Sequence, residues 1–138
     1  MEQLKKFSIK SISYLELVEL KNQYKLEITP FVYDDKIGFH KILYGNEFVG
    51  VIIFTNEADL FGGGILIDYF EILEAQRNKG FGKRFIRIFF DSVRSSLEPG
   101  TQISIFITPI PEAEVFWRSL GFASNLYMQP MFKYDCIY

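Results

Sequence analysis

Cysteine is almost missing from this chain. Cys136 is the single one, so no internal disulfide can form, which suits a reducing cytoplasm. Histidine is equally scarce: His40 stands alone, which excludes metal sites built on several imidazoles, and no metal is expected. No apolar run reaches the roughly 20 residues that a membrane span needs, so no membrane partner is expected. The opening Met1-Glu2-Gln3-Leu4-Lys5-Lys6 lacks the apolar stretch of a secretion signal, and a cytoplasmic location is the expectation. Positive charge is not in excess either. Fifteen Lys and Arg face seventeen Asp and Glu, a formal net charge of −2, which argues against general nucleic-acid affinity. Repeats, low-complexity segments and linkers are lacking, so the 138 residues read as one domain, 1–138.

What the chain has is apolar mass. Hydrophobic residues make up 49% and aromatics 17%, with fifteen Phe, enough to bury a core and incompatible with a disordered segment. The basic charge is gathered in one place, at Arg77, Lys79, Lys83, Arg84 and Arg87.

Alternation over Phe7-Ser8-Ile9-Lys10-Ser11-Ile12 predicts a short strand. Ser13-Tyr14-Leu15-Glu16 matches a capping box, with Ser13 as N-cap and Glu16 reaching back, and opens a helix to about Tyr24. Leu26 to Asp35, interrupted by Pro30 and Asp34-Asp35, is either a short second helix or a loop over a cleft. Ile37 to Tyr44 and Phe48 to Thr55 are strand-like and are joined through Gly45-Asn46-Glu47, a hairpin signal. Ile65 to Leu73 reads as a buried strand, and Phe81 to Leu97 as an amphipathic helix with Phe81, Phe85, Ile88, Phe89 and Val93 on its apolar side. Arg84, Arg87, Asp91 and Arg94 form the opposite face, with Asp91 placed to pair with Arg87 or Arg94. Gln102 to Thr108 is a further strand, parallel to its predecessor through the crossover helix. Pro111 opens a short helix over Glu112 to Leu120, closed by Gly121, and the tail from Asn125 to Ile137 is expected to close the sheet edge.

Between the buried strand and its helix lies Gln76-Arg77-Asn78-Lys79-Gly80-Phe81-Gly82-Lys83. A glycine-rich basic loop feeding a helix start is an anion site, because the first-turn N–H groups point outward and the helix dipole favours negative charge there. The spacing excludes the two commoner phosphate loops. A Walker-type loop needs Gly where Arg77 stands and Ser or Thr where Arg84 stands, and a dinucleotide fingerprint needs a third Gly where Phe85 stands.

The pattern that does fit is Arg-x-x-Gly-x-Gly, Arg77 to Gly82, which resembles the acyl-CoA pyrophosphate loop of the GNAT superfamily of N-acyltransferases. Ala113-Glu114-Val115-Phe116-Trp117-Arg118-Ser119-Leu120-Gly121-Phe122 is similar to the Ala-x-x-Phe-Tyr-x-x-x-Gly-Phe ending of that family. Tyr127-Met128-Gln129-Pro130-Met131-Phe132 resembles a segment of some small bacterial members. The element order, β-α-(α)-β-β-β-α-β-α-β, is similar to the family's over nearly the whole chain. The resemblance implies a three-layer α/β fold with a mixed sheet, antiparallel in its first half, with a parallel splayed pair at the cofactor site.

It also implies a division of labour. The backbone of Phe70, Glu71 and Ile72 would pair with pantetheine, and Arg77, Asn78, Lys79, Gly80, Phe81, Gly82 and Lys83 would hold the pyrophosphate. Acetyl-CoA would be the co-substrate, and a primary amine of a small molecule or peptide would attack it directly. A backbone N–H near Ile72 would stabilise the oxygen that becomes negative. Two positions depart from the pattern: Trp117 stands where the family carries an acid Tyr, and Ile110 where it carries an Asn.

Asp68, a charge amid an apolar strand, is the candidate base, and its parity puts it on the face of Ile72 unless a bulge intervenes. Tyr127 is the candidate acid, alongside readings as acceptor-pocket wall or core. Glu71 points to the opposite face as a structural residue, Tyr69 reads as core, and His40 as a strand-surface residue. The departures motivate an alternative, a GNAT-like module that binds CoA or another partner without turnover. A homodimer paired through the aromatic tail fits the sequence as well.

Overall fold

In the computed structural model the described residues are 5–28, 37–57, 64–95, 102–107, 113–124 and 132–137. The strands are β1 (Phe7–Ile12), β2 (Ile37–Tyr44), β3 (Glu47–Glu57), β4 (Gly64–Ile72), β5 (Gln102–Ile107), β6 (Ala123–Ser124) and β7 (Phe132–Ile137). The helices are α1 (Tyr14–Tyr24), α2 (Phe81–Ser95) and α3 (Glu114–Ser119). One mixed sheet runs in the order β1-β2-β3-β4-β5-β7-β6. From β1 to β4 every pairing is antiparallel, and the β2–β3 hairpin turns on Gly45-Asn46 between the paired Tyr44 and Glu47. The β4–β5 pair is parallel, as the crossover through α2 requires.

Two apolar layers flank the sheet. On one face Ile52, Ile65, Ile67 and Ile72 pack with Phe81, Phe85, Ile86, Phe89 and Phe90 of α2 and with Trp117 of α3. On the other, Val51, Ile53 and Leu73 pack with Leu17 of α1 and with Leu26 and Ile28. This is the three-layer mixed α/β arrangement expected from the sequence.

Several local expectations are corrected. Ser13 does cap α1, accepting the Glu16 N–H at 3.1 Å, but the Glu16 carboxylate pairs with the Lys41 ammonium at 3.0 Å instead of reaching back. On α2 the buried residues are Phe81, Phe85, Ile86, Phe89 and Phe90, whereas Ile88 is exposed. At 100° per residue the buried side chains run in the order Phe81, Phe85, Phe89, Ile86, Phe90 around the helix, a stripe centred near Phe89 that leaves Ile88 outside it. The Arg94–Asp91 pair forms at 3.0 Å. The tail strand β7 inserts between β5 and β6 and so does not end the sheet; the two-residue β6 takes that place. Gly121 terminates α3 with φ 101°, as expected. Of the stretch from Leu26 to Asp35, expected as a short helix or a loop, residues 26–28 are neither helix nor strand and the rest lies outside the described residues, as do Pro111 and Tyr127.

His40, expected at the strand surface, is half-buried. Its ring stacks on Phe54 with centroids 4.6 Å apart and planes 6° from parallel. Burial holds the imidazole below its ordinary value of 6.5. A histidine kept neutral in the fold binds its proton more readily when unfolded. Its contribution to stability is therefore complete above about pH 6.5 and is lost as pH falls below that value. Chemical denaturation of the native chain should show a midpoint that declines from pH 7.5 to 5.5. His40→Phe, which keeps the stack, should flatten that decline, and an unchanged slope would exclude His40 as its source.

Candidate functional site

The parallel pair parts early. Among the described residues, β4 pairs with β5 only over Gly64–Ile67, opposite Ser104–Ile107, and none of them pairs with Tyr69 to Ile72 on that side. Facing this side of β4 stand Ile107 and the α3 residues Ala113, Phe116 and Trp117, which with Asp68 to Ile72 line a cavity of about 550 Å³. The aromatic wall is tightly packed. Phe70 stacks on Phe85 at 5.8 Å, and Trp117, 3% exposed, meets Phe70, Phe116 and Phe122 edge-on at 5.8, 5.0 and 5.1 Å. Trp117 is a packing residue, and an indole N–H is a donor too weakly acidic to serve as a proton source.

The other end of the cavity is the loop. After a 3₁₀ turn over Glu74–Gln76, the chain passes through Asn78 at φ 67° and Gly80 at φ 74° into α2. The first bond closing the helix runs from the Arg84 N–H to the Gly80 carbonyl at 3.1 Å. The amides of Phe81, Gly82 and Lys83 precede it and point out of the helix end, next to the cavity. A Cβ on Gly80 would meet nothing within 4 Å, so the approach to these amides is open. A Cβ on Gly82 would press on Phe116 at 3.2 Å, so glycine there lets helix and aromatic wall close together.

The cations of the loop divide. Lys83 lines the cavity, and Lys79 donates to the Gln76 side chain at 3.0 Å and lies 5.8 Å from the Phe81 ring. Arg84 turns away, over Phe7, Tyr44 and Phe81 at 5.3, 5.4 and 5.7 Å. Arg77 turns inward. Its Nε donates to the Ile72 carbonyl at 3.0 Å and its Nη2 lies 3.6 Å from the Glu71 carboxylate. The guanidinium read from the sequence as pyrophosphate charge therefore ties the loop to β4.

Glu71 is the buried partner of that tie, 8% exposed. Both its oxygens accept the Glu27 backbone N–H at 3.1 Å, and one also accepts the Tyr69 hydroxyl at 2.6 Å. Burial and the Glu71 carboxylate together push the Tyr69 phenol far above its ordinary range, so it remains protonated at any working pH.

Asp68 does not share the face of Ile72. The β3–β4 register shifts between Ile53 and Phe54, whose partners are Tyr69 and Ile67, leaving Asp68 as the extra residue of a bulge. Ile65 and Ile67 before it, and Phe70 and Ile72 after it, all face α2, so the parity changes at Asp68. Its carboxylate accepts the Thr55 hydroxyl at 2.8 Å, and Asp68, Tyr69 and Glu71 lie on the face toward α1. Asp68 still lines the cavity, together with Glu27. The structure thus gathers Asp68, Phe70, Glu71, Ile72, Arg77, Asn78, Gly80, Phe81, Gly82 and Lys83 around one cavity.

Sequence reasoning missed Glu27 and Thr55. Their contacts join residues distant in the chain, and no local pattern marks them. The Tyr69–Glu71 bond was within reach, since residues two apart on a strand share a face.

No protein-family model and no curated protein sequence matches the chain. Solved structures do. Gcn5 of Tetrahymena aligns at TM-score 0.70 and 14% identity, over 95% of this chain and 96% of that one. An acetyltransferase from Thermus thermophilus aligns at TM-score 0.66 and 13% identity, covering 97% of this chain and 98% of its own. Naa50 of Arabidopsis thaliana, in complex with the bisubstrate analogue CoA-Ac-MVNAL, aligns at TM-score 0.60 and 18% identity, over 96% and 99% of the two chains. These likenesses establish the fold: it is the GNAT acyl-CoA N-acyltransferase fold.

Proposed function

We propose that this chain, built on the GNAT fold, is an N-acetyltransferase that moves acetyl from acetyl-CoA to a primary amine of a small molecule or peptide. The observation that carries the reading is the junction of two features in one cavity: a β4 edge from Tyr69 to Ile72 that has no strand partner on the β5 side among the described residues, and the outward amides at the start of α2. An open strand edge takes up an extended chain bearing amide groups, which pantetheine is, by forming main-chain bonds to it. Outward first-turn amides with Lys83 beside them suit a pyrophosphate. The bisubstrate analogue CoA-Ac-MVNAL in complex with Naa50 supports including peptides among the acceptors to be tested.

The residues then act in order. The β4 edge fixes the thioester beside the bulge. Asp68, held by Thr55, takes the proton of the acceptor ammonium so that a neutral nitrogen attacks. A β4 backbone N–H near Ile72 receives the negative charge of the thioester oxygen. As the C–N bond forms and the C–S bond breaks, the sulfur leaves as thiolate; Tyr127 is the proposed source of its proton and takes back the second proton of the nitrogen, so neutral amide and free thiol leave while the proton on Asp68 passes to solvent. The reading covers one domain, 1–138, and no nucleic-acid partner, supported by the formal net charge of −2.

A thiol-release assay over amines, polyamines, amino acids and peptides tests the activity. Binding of acetyl-CoA without thiol release on any acceptor would replace the enzyme by a CoA-binding module. Where turnover occurs, Asp68→Asn should lower kcat/KM by about 100-fold and remove the acidic limb of its pH profile. An unchanged acidic limb would exclude Asp68 as the base.

A further inference from the structure

Glu71 joins two parts of the cavity that are far apart in the chain. On one side it faces Arg77, the residue that opens the anion loop, at 3.6 Å. On the other it accepts the Glu27 N–H with both oxygens, fixing the segment that follows α1. Tyr69 donates a third contact at 2.6 Å and orients the carboxylate. Arg77 completes the frame by donating to the Ile72 carbonyl, so the loop and the end of β4 move as one. Glu27, Tyr69 and Asp68 line the same cavity as the loop.

We propose that Glu71 is a positioning residue that couples the two ends of the site, transmitting occupation of the anion loop through Arg77 to the Glu27 wall beside Asp68. The proposal rests on the acetyl-CoA reading above. A ligand that orders the 77–83 loop restrains Arg77. A restrained Arg77 holds the Glu71 carboxylate in place, and the held carboxylate keeps the Glu27 amide closed. Coupling of this kind is reciprocal, so whatever settles on the Glu27 wall also tightens the loop. Its advantage is order, because the acceptor wall is firm only once the acetyl donor is seated.

The test uses the full chain and acetyl-CoA as probe, with binding followed by calorimetry and the Glu27 amide followed by NMR hydrogen exchange. In the native chain, saturation with acetyl-CoA should slow exchange of the Glu27 amide by about fivefold or more. Glu71→Gln keeps one acceptor oxygen but drops the charge, and should weaken acetyl-CoA binding several-fold and remove the protection. Because Glu71 is buried and that variant can misfold, Arg77→Gln, at a side chain 42% exposed, cuts the same link without burying anything new. Arg77→Gln should still bind acetyl-CoA through the α2 amides, yet show less than about twofold protection at Glu27. A merely structural Glu71 would leave the protection of Arg77→Gln at the native level, and that outcome overturns the coupling. Binding by the native chain with no change at Glu27 overturns it as well. Failure of the native chain to bind acetyl-CoA at all overturns the reading beneath it, and the coupling with it.

Discussion

Gly80→Glu is expected to weaken acetyl-CoA binding by at least about 100-fold, on the order of 3 kcal/mol, while the chain stays folded. The effect on binding is electrostatic and local. The new carboxylate would stand directly before the outward amides of Phe81, Gly82 and Lys83, where the proposed pyrophosphate lies, and would itself satisfy them. The effect on folding is small. A Cβ at this position meets nothing within 4 Å, so the cost is the left-handed backbone alone, about 1 kcal/mol at φ 74°. Gly80→Ala carries that backbone cost without the charge and should lose much less affinity. Calorimetry separates the two. Equal affinity for Gly80→Glu and the native chain would mean that acetyl-CoA, if bound, is held elsewhere.

Trp117→Ala should be the most destabilising single truncation at the site, costing about 3–5 kcal/mol of folding stability. Trp117 is 3% exposed and touches Phe70, Phe116 and Phe122, so its loss opens a large void between β4 and α3 that rigid aromatic neighbours cannot fill. The same void lies in the cavity wall that faces the β4 edge, so acetyl-CoA affinity should fall with stability. Denaturant unfolding checks the prediction directly. A loss below about 1 kcal/mol would show that the indole is not part of the core. The size of this effect also bears on chemistry. Trp117, at the position where the sequence resemblance implies an acid Tyr, is a packing residue, which is why Tyr127 is the proposed proton source.

The parts of the site that were legible in the sequence are those encoded by local spacing. Gly80, Gly82 and the basic residues around them sit within one loop, and the flanking strand and helix have unbroken apolar patterns. The geometry that escaped is set by contacts across the sheet. Alternation alone puts Asp68 on the face of Ile72 unless a bulge intervenes. The bulge that reverses it shows only in the β3–β4 register, and a strand with apolar residues on both faces, as Ile65 to Ile72 has, hides any break in period. Arg77 was counted as an anion ligand because charge in a loop is visible, whereas its buried partner Glu71 becomes a partner only once β4 and the loop fold together. Glu16 likewise matched a capping box by spacing, but Lys41 on β2 offered a stronger partner than its own helix terminus. On α2 the three-residue step from Phe85 points to Ile88, but the sheet selects a stripe centred nearer Phe89, which takes in Ile86 instead.

A crystal structure of the chain grown with CoA bears most directly on the central claim. Expected is density for the pantetheine arm along β4 from Asp68 to Ile72, with the pyrophosphate against the amides of Phe81, Gly82 and Lys83. CoA bound elsewhere on the protein, with the β4 edge and the α2 amides empty, would contradict it.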